Sequence, residues 1–553
     1  MTITEELPGR RLPARHDGRR PLGALAGLVS AAVALGVAEL VAGLVGPSSS
    51  PVVAVGDVVI TLTPEPVKAF AIATFGEQDK VALVVGTLVL VALAALLLGL
   101  GSLRSARLGV AGIGAFGLLG VLAAVLRPAG RALDALPAVA GAAAGITVLL
   151  LLLRPLTRPV AAPAPSGGRP EAGPRDGVAA DRLREVLAAG DRKGGALDRR
   201  RFFLASGVAV GVAAAGGYGG RLLRRRFDVA EARAALTLPR PASPAPAVPA
   251  GADLAAGVAG LTPLFTANRD FYRVDTAIVA PLVRPADHRL ETTGMFDSPG
   301  TYTLADLFGR TDLIERDITL TCVSNEVGGG LAGTARWLGV PLGAFLRENG
   351  VRSGSSQLVC RSVDGMTIGA PTRAALEAED AMLAIGMNGE PLPVEHGFPV
   401  RMLIPGLYGY VSACKWLTRI EATTFDAFDA YWVERDWAAE APIKIASRID
   451  TPAALRRFPA GRRAIAGVAW AQTRGIARVE VRVDDKDWAD ADLSPAVDAD
   501  VWRQWVLPYE FAPGPHTLTV RATGADGEVQ TDRRADPFPD GASGWHSIQV
   551  TAA

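Results

Sequence analysis

A His, an Arg and a Lys surround a short apolar run in the second half of the chain. The segment Met387–Leu417 contains His396, Arg401 and Lys415. The apolar run Val400–Ile404 between Pro-bounded turns is typical of a buried strand. Fork-shaped Arg donors and backbone N–H groups at Gly-rich turns can converge on an anionic group such as a phosphate. Three solvated cations in a tight turn are the alternative, and residue types alone do not decide between the two.

A cysteine ends a second short strand. The predicted strand Ile318–Cys322 opens into the Gly-rich loop Asn325–Gly330, so the thiolate can face a cleft as a nucleophile or a soft-metal ligand. For Cys360 and Cys414 we favour the role of a small buried hydrophobic residue. The sequence has three cysteines, far apart and without C-x-x-C, which excludes a disulfide framework and a Cys-rich zinc site.

The first part of the chain must lie in a membrane. The 553 residues leave room for several domains, and a net charge of +1 gives no sign of a nucleic-acid partner. Residues 22–153 hold four stretches long and apolar enough to cross a bilayer core of about 30 Å: Leu22–Gly46, Val81–Leu100, Leu108–Leu126 and Leu136–Leu153. Charged residues and prolines interrupt Val52–Phe75, so we interpret it as an interfacial or re-entrant outer loop.

Charge distribution predicts the orientation. The basic tail 1–21 and the loop Ser102–Arg107 are expected on the cytoplasmic side, followed by a disordered cytoplasmic linker, 154–201. A fifth apolar segment, 202–220, follows Arg199-Arg200-Arg201. This pattern resembles a twin-arginine export signal, and an ordinary positive flank of a fifth helix is the alternative. Either way, residue 221 onward is predicted outside a cell membrane.

The outer part begins with a Pro/Ala-rich linker, 221–252, predicted to be extended. A domain of mixed helices and strands, 253–440, follows it. From 441 to 553, apolar and polar residues alternate in short segments separated by Gly, Asp and Pro turns, which predicts a β-sandwich. The predicted strands are Ile465–Trp470, Ala477–Val483, Trp502–Leu507 and His516–Thr523.

Five motifs of the outer part occur in an order that resembles the sulfite oxidase family of molybdenum enzymes. They are Asn268-x-x-Phe271-Tyr272, Cys322-x-x-Asn325, Thr334–Leu342, Met387–Arg401 and Lys415-Trp416-Leu417. The resemblance covers about Asp253–Val550 and not the membrane part. It implies a mixed α+β molybdopterin-binding catalytic domain followed by an immunoglobulin-like dimerisation domain, which allows a homodimer or a monomer.

The resemblance also implies roles for individual residues. A single molybdopterin would be bound, with the Cys322 thiolate as a ligand to molybdenum, and the reaction would be oxygen-atom transfer with a two-electron change at the metal. His396, Arg401 and Lys415, with the backbone near Ser412, would hold the phosphate of the cofactor. The remaining expected cofactor contacts are Asn268, Phe271, Tyr272 and Ser362.

The chain departs from the family pattern where sulfite would bind. Arg273 matches one substrate arginine, but Glu326 and Val327 stand where the family has two arginines, and Trp437 replaces a pocket tyrosine. A negative neighbour would repel a sulfite dianion by a few kcal/mol at an effective dielectric of about 20. We therefore expect a neutral or cationic oxygen donor or acceptor, such as a sulfoxide. Sulfoxide reduction and sulfite oxidation both stay open, and Trp437 can also be an ordinary core aromatic residue.

Histidine positions bear on electron transfer. None of the five histidines lies in a predicted span, and C-x-x-C-H is absent, so we expect no haem in this chain. Electrons would then pass through an external partner: a cytochrome, a quinone or a membrane haem protein. A non-catalytic binding or assembly protein on the same scaffold is the alternative to an enzyme. Cys322, His396 and Arg401 together favour the membrane-anchored enzyme.

Overall fold

The computed structural model describes residues 19–64, 67, 70, 74, 75, 79–157 and 194–553. The chain divides into two compact units, Met1–Phe227 and Asp228–Ala553. Most of the tail predicted for residues 1–21 and most of the linker predicted for 154–201 lie outside the described residues.

The first unit is helical. Its helices are α1 (Arg20–Val45), α2 (Pro51–Leu62), α3 (Asp79–Ser102), α4 (Ala106–Leu126), α5 (Leu136–Thr157) and α6 (Gly194–Arg224). Five helices of the described chain are long and apolar enough to cross a membrane, the same number as the predicted spans. The helix α2, with 12 residues, is too short to cross.

Helix α1 packs closely against α6 through glycines. A Cβ added to Gly216 would lie 2.6 Å from the carbonyl oxygen of Gly36, so the two backbones are in direct contact there. The charge of Glu39 on α1 is satisfied within the bundle, because its carboxylate accepts hydrogen bonds from the Arg224 guanidinium and the Ser50 hydroxyl. The Glu39 carboxylate, which interrupts the first apolar stretch, therefore has an ion-pair partner at the end of α6.

The second unit begins with two sheets that share a core. One sheet has the order β2-β1-β10-β5-β6 and the other β3-β4-β7-β8, with β9 paired to β7. The strands are β1 (Arg289–Gly294), β2 (Thr301–Thr303), β3 (Ile314–Thr321), β4 (Ala332–Pro341), β5 (Gln357–Ser362), β6 (Thr367–Pro371), β7 (Met382–Met387), β8 (Glu390–Pro391), β9 (Arg401–Leu403) and β10 (Leu417–Thr423). Short helices connect them: α7 (Ala230–Ala234), α8 (Leu304–Phe308), α9 (Leu342–Glu348), α10 (Thr372–Glu377) and α11 (Gly409–Ser412).

Burial explains the continuous apolar runs of the second sheet. Leu338 and Leu383 face the core shared with the first sheet, whereas Trp337 and Ala384 face a second core on the opposite side. A strand that is covered on both faces is apolar throughout rather than alternating. Every residue of the predicted buried run Val400–Ile404 is buried, including the charged Arg401.

The chain ends in two sheets packed face to face. Their orders are β11-β13-β17-β16 and β12-β19-β18-β14-β15, and Ile465 and Trp505 of the first share a core with Val481 and Leu518 of the second. The strands are β11 (Ala446–Thr451), β12 (Arg457–Phe458), β13 (Gly461–Trp470), β14 (Ile476–Val483), β15 (Ala489–Asp490), β16 (Asp492–Leu493), β17 (Arg503–Phe511), β18 (Gly514–Gly524) and β19 (His546–Ala552). The immunoglobulin-like assignment and the dimerisation role of this sandwich stay predictions.

Residues 228–243, which we name the strap, are docked on the catalytic fold. Val229 is fully buried in the core that contains Phe271 and Trp337. The Arg233 guanidinium donates to the carbonyl oxygen of Leu392 at 2.7 Å. The backbone N–H of Ala242 donates to the carbonyl oxygen of Leu313 at 2.8 Å. The linker predicted for 221–252 is thus partly a fixed element of the second unit.

Truncating Val229 tests the docking of the strap. We expect Val229→Ala to lower the free energy of unfolding of the second unit by about 1–3 kcal/mol, because it removes buried methyl groups and leaves a cavity. All nine tryptophans of the sequence lie at or after Trp337, so tryptophan fluorescence during chemical denaturation reports on this unit alone. Val248→Ala, at a valine that is 37% exposed, is the matched control, and equal effects of the two substitutions would contradict docking.

Candidate active site

Cys322 lies directly after β3, at the start of a loop that returns to β4. Its N–H donates to the carbonyl oxygen of Leu331 at 2.9 Å, and the Asn325 side-chain oxygen accepts from the N–H of Leu331 at 2.7 Å. The thiol is free and buried. Burial raises its pKa, although hydrogen bonds from Ser324 and the charge of Lys415 act in the opposite direction. Burial therefore favours the protonated thiol over the thiolate in the cofactor-free protein.

The C-terminal sandwich holds the strand that leads to Cys322. The Gln472 side-chain amide donates to the carbonyl oxygen of Thr319 at 3.0 Å, and the N–H of Trp502 donates to the Thr319 hydroxyl at 2.8 Å. The Arg448 guanidinium donates to the carbonyl oxygen of Gly329, in the loop after Cys322, at 2.9 Å. Strand and loop are thus fixed from one side.

The same loop carries the residues that depart from the family pattern. Glu326 is exposed and Val327 is half-buried. Gly328 has φ of 81° and packs against the ring of His546. A side chain at this position would clash with the ring and would be strained in this backbone conformation. Because Glu326 faces solvent, its repulsion of an anion near Cys322 is screened and weaker than the sequence argument assumed.

Arg401 is a buried cation in β9. It is 6% exposed, its Nη1 donates to the carbonyl oxygen of His396 at 3.1 Å, and its guanidinium carbon lies 5.3 Å from the ring centre of Trp337. Burial lowers its pKa to about 10, so it stays charged near neutral pH. Its Nε is buried without a hydrogen-bond partner within the described part of the chain.

His396 enters the site as a neutral ring. Its Nε2 lies 2.9 Å from the carbonyl oxygen of Asn268, and because a carbonyl only accepts, Nε2 carries the hydrogen. Burial lowers the pKa of His396 to about 4, helped by the charges of Arg401 and Lys415. Of the three residues that the sequence suggested as cations, Arg401 and Lys415 are cations, whereas His396 is a neutral imidazole whose Nδ1 can accept a hydrogen bond.

Lys415 completes the pair of buried cations. Its Nζ donates to Oδ2 of Asp275 at 2.7 Å and to the carbonyl oxygen of Glu395 at 3.3 Å. Burial lowers its pKa to about 8 against the opposing effect of Asp275. Arg273 donates through Nε to the same Asp275 oxygen at 2.9 Å. Asp275 was not predicted as a site residue. The sequence feature that could have indicated it is its position two residues after Arg273.

Aromatic rings lie between the Cys322 thiol and the group formed by His396 and Arg401. Phe271 and Tyr272 stack with ring centres 5.2 Å apart, and the Phe271 ring lies edge-on to His396 at 5.4 Å. Burial raises the pKa of Tyr272, the Cys322 charge raises it further and the Arg401 charge lowers it. Tyr272 is therefore a phenol within electrostatic range of both the thiol and the buried Arg401.

Asn268 is held by two residues that sequence reasoning also missed. Its amide nitrogen donates to Glu390 at 2.6 Å, and its side-chain oxygen accepts from the Asn388 amide at 2.8 Å. Asn388 has φ of 52°, a left-handed conformation that asparagine tolerates in turns. The Asn388-Gly389 pair is a recognisable turn signal, but the sequence does not indicate which residue the turn contacts.

The remaining predicted residues lie in different surroundings. The buried Ser362 hydroxyl at the end of β5 has no hydrogen-bond partner among the described residues. The Ser412 hydroxyl donates to the carbonyl oxygens of Leu407 and Tyr408, so it is turned toward its own backbone. Trp437 packs in an aromatic cluster, 5.8 Å from Tyr410, 6.0 Å from Trp432 and 5.3 Å from Phe538 between ring centres. Trp437 also belongs to the same apolar core as Val323, the residue after Cys322.

The donor set fits a phosphorylated ligand that presents a soft metal. Arg401, Lys415 and the Ser362 hydroxyl can all donate to an anion or a polar heterocycle, and Nε of Arg401 and the Ser362 hydroxyl have no partner among the described residues. A free cysteine thiolate is a preferred ligand for a soft metal.

Comparison with known proteins agrees with this chemistry. A family model described as "Oxidoreductase molybdopterin binding domain" matches residues 277–432. Mitochondrial sulfite oxidase of Mus musculus is 29% identical over 324 residues, which are 49% of this chain and 58% of that protein. Sulfite oxidase of Gallus gallus is 27% identical over 316 residues, 48% of this chain and 68% of that protein.

Two further relatives extend the comparison. Nitrate reductase [NADH] 1 of Nicotiana tabacum is 31% identical over 176 residues, 27% of this chain and 19% of that protein. The crystal structure of the sulfane dehydrogenase SoxCD from Paracoccus pantotrophus aligns with 52% of this chain and 81% of its own at 23% identity, with a TM-score of 0.46. The family model covers the segment that carries Cys322, Arg401 and Lys415, and in this part the chain is similar to the sulfite oxidase family of molybdopterin-dependent oxidoreductases.

Proposed function

We propose that this protein is a membrane-anchored, outward-facing molybdopterin oxidoreductase that transfers an oxygen atom to or from a small neutral or cationic compound such as a sulfoxide. One observation carries the proposal. A free buried thiol at a strand end and two buried cations, Arg401 and Lys415, flank the stacked rings of Phe271 and Tyr272.

Each residue has a role in this proposal. Cys322 would ligate molybdenum. Arg401 and Lys415 would hold the phosphate, with the backbone near Ser412. His396 would contribute an acceptor nitrogen. The contacts to the pterin would come from Asn268, Phe271, Tyr272 and Ser362. When bound, the molybdenum cofactor supplies two-electron oxygen-atom transfer.

The surroundings of Cys322 favour a substrate with little negative charge. Arg273 donates through Nε to Asp275, so this carboxylate offsets part of the Arg273 charge. Next to the buried Trp437, the ring of Phe538 is 47% exposed and offers an apolar face on which a sulfur compound can pack. Sulfite oxidation is the second candidate reaction, because the relatives reported above include sulfite oxidases. A non-catalytic scaffold is the third possibility to be tested.

The location and partners follow from the sequence. We place the N-terminus in the cytoplasm and the second unit outside the cell membrane, with the five apolar helices as the anchor. Electrons would pass to or from an external carrier (a cytochrome, a quinone or a membrane haem protein), with no haem in this chain. The C-terminal sandwich would allow a homodimer.

Replacing the thiol tests the metal role. We expect Cys322→Ser to lose molybdenum and activity at least about a hundredfold, since loss of an outer-shell partner alone costs about 10–100-fold. Molybdenum per protein is measured by mass spectrometry of the metal. Cys360→Ser, at a second buried cysteine that contacts Met402, is the control and should retain both. Wild-type protein that holds no molybdenum would favour the non-catalytic scaffold.

A substrate comparison tests the second part of the proposal. Molybdenum-loaded protein should reduce a neutral sulfoxide, with an artificial electron donor, faster than it oxidises sulfite at the same concentration. The reason is that Asp275 offsets part of the Arg273 charge and so weakens its attraction for a dianion. Steady-state rates with both compounds provide the measurement, and oxidation of sulfite with a low micromolar KM would sink this assignment.

Lys415 should make anion binding dependent on pH. Its pKa is lowered from 10.5 to about 8, so the ammonium is present below about pH 8 and is lost as the pH rises through that value. Inorganic phosphate should therefore bind the cofactor-free protein up to about fivefold more weakly at pH 9 than at pH 8. Calorimetric titration measures this dependence, and Lys415→Arg should remove it because arginine stays charged. A wild-type affinity that is constant from pH 7 to 9 would contradict the expectation.

A further inference from the structure

Asp275 binds two cations through one oxygen atom. Its Oδ2 accepts from the Lys415 ammonium at 2.7 Å and from Nε of Arg273 at 2.9 Å. The Asp275 side chain is 5% exposed, and that of Lys415 is 11% exposed. Arg273 is more open, with 35% of its side chain exposed. A buried carboxylate thus joins a buried cation to one at the surface.

The two cations have different proposed roles in the candidate site. Lys415 also donates to the carbonyl oxygen of Glu395, beside His396, and lies with Arg401 at the end proposed to hold a phosphate. Arg273 follows Tyr272, which is within electrostatic range of Cys322, and it matches the position expected to face a substrate. The ion pairs of Asp275 therefore connect a residue proposed to hold the phosphate with one expected to face the substrate.

Like charge makes this connection necessary. Arg273, Arg401 and Lys415 repel one another, and the charges of the two arginines both act against the Lys415 ammonium. Without a carboxylate between them, the long side chains would move apart toward water, because buried charges need a partner.

We propose that Asp275 is a positioning residue that holds Arg273 and Lys415 in one geometry, so that a single carboxylate aligns the phosphate-binding and substrate-facing ends of the site. The inference rests on the proposed function for the identity of the ligand. It concerns the placement of the cations and not a step of the reaction.

A phosphate titration separates positioning from simple electrostatics. Removal of a carboxylate near an anion site would tighten phosphate binding if charge alone mattered. Positioning has the opposite effect, because the cations lose their common anchor. We therefore expect Asp275→Asn to weaken the binding of inorganic phosphate to the cofactor-free, full-length protein by about tenfold, the lower end of the effect of a supporting residue. Binding equal to or tighter than wild type would overturn the inference.

Two further variants complete the experiment. Asp275→Glu keeps the charge and moves the carboxylate by one methylene, so positioning predicts weaker phosphate binding and a role of charge alone predicts no change; this variant decides the question if Asp275→Asn does not fold. Asp287→Asn is the matched control, because Asp287 pairs with Arg284 at 2.6 Å while 55% of its side chain is exposed. It should bind phosphate as wild type does.

The molybdenum content of the protein supplies an independent readout. In cells that make the cofactor, Asp275→Asn should hold less molybdenum per folded protein than the Asp287→Asn control. A loss that only follows the loss of folded protein, measured by tryptophan fluorescence, would mean that Asp275 is merely structural. Wild-type protein without molybdenum would refute the proposed function, whereas the phosphate titration would still decide the role of Asp275.

Discussion

The active site depends on hydrogen bonds that cover the outer edge of β3. Strand β3 is the outer strand of its sheet, so half of its backbone groups need partners from elsewhere. The sandwich supplies some of them: the N–H of Thr319 donates to the carbonyl oxygen of Asp500, and the Gln472 amide donates to that of Thr319. The strap supplies another, because the carbonyl oxygen of Ser243 accepts from the N–H of Glu315. Segments before and after the catalytic fold together fix the strand that ends beside Cys322.

The buried cations show how a site can be stable and still require a ligand. Arg401 lies over the Trp337 ring and Lys415 over the Trp416 ring, and such contacts offset part of the cost of removing a cation from water. Nε of Arg401 remains without a partner in the described chain. A ligand that supplies the missing acceptor binds only the folded protein, and it therefore stabilises the fold as well as completing the site.

Local patterns predicted the elements, and long-range contacts decided the details. Five apolar runs and the alternating strands of the sandwich could be predicted because each depends on a few neighbouring residues. The Asp275–Lys415 bond joins residues 140 positions apart, and Arg224 lies 185 positions from Glu39, so neither pairing has a local signal. The neutrality of His396 depends on burial, which a single sequence does not reveal. The five motifs still located Cys322, Arg401 and Lys415, because a resemblance carries spatial information that composition lacks.

The strap has a consequence for dissecting this protein. Composition suggests cutting the chain at Asp253, after the Pro/Ala-rich segment, to obtain a water-soluble enzyme. Such a fragment would leave the Val229 cavity empty and remove the Ser243 carbonyl from the backbone of β3. An uncovered strand edge is a template for intermolecular pairing, so the shortened protein would tend to aggregate. The second unit begins at Asp228, directly after the last residue of the helical unit, and a soluble enzyme needs the strap as its first segment.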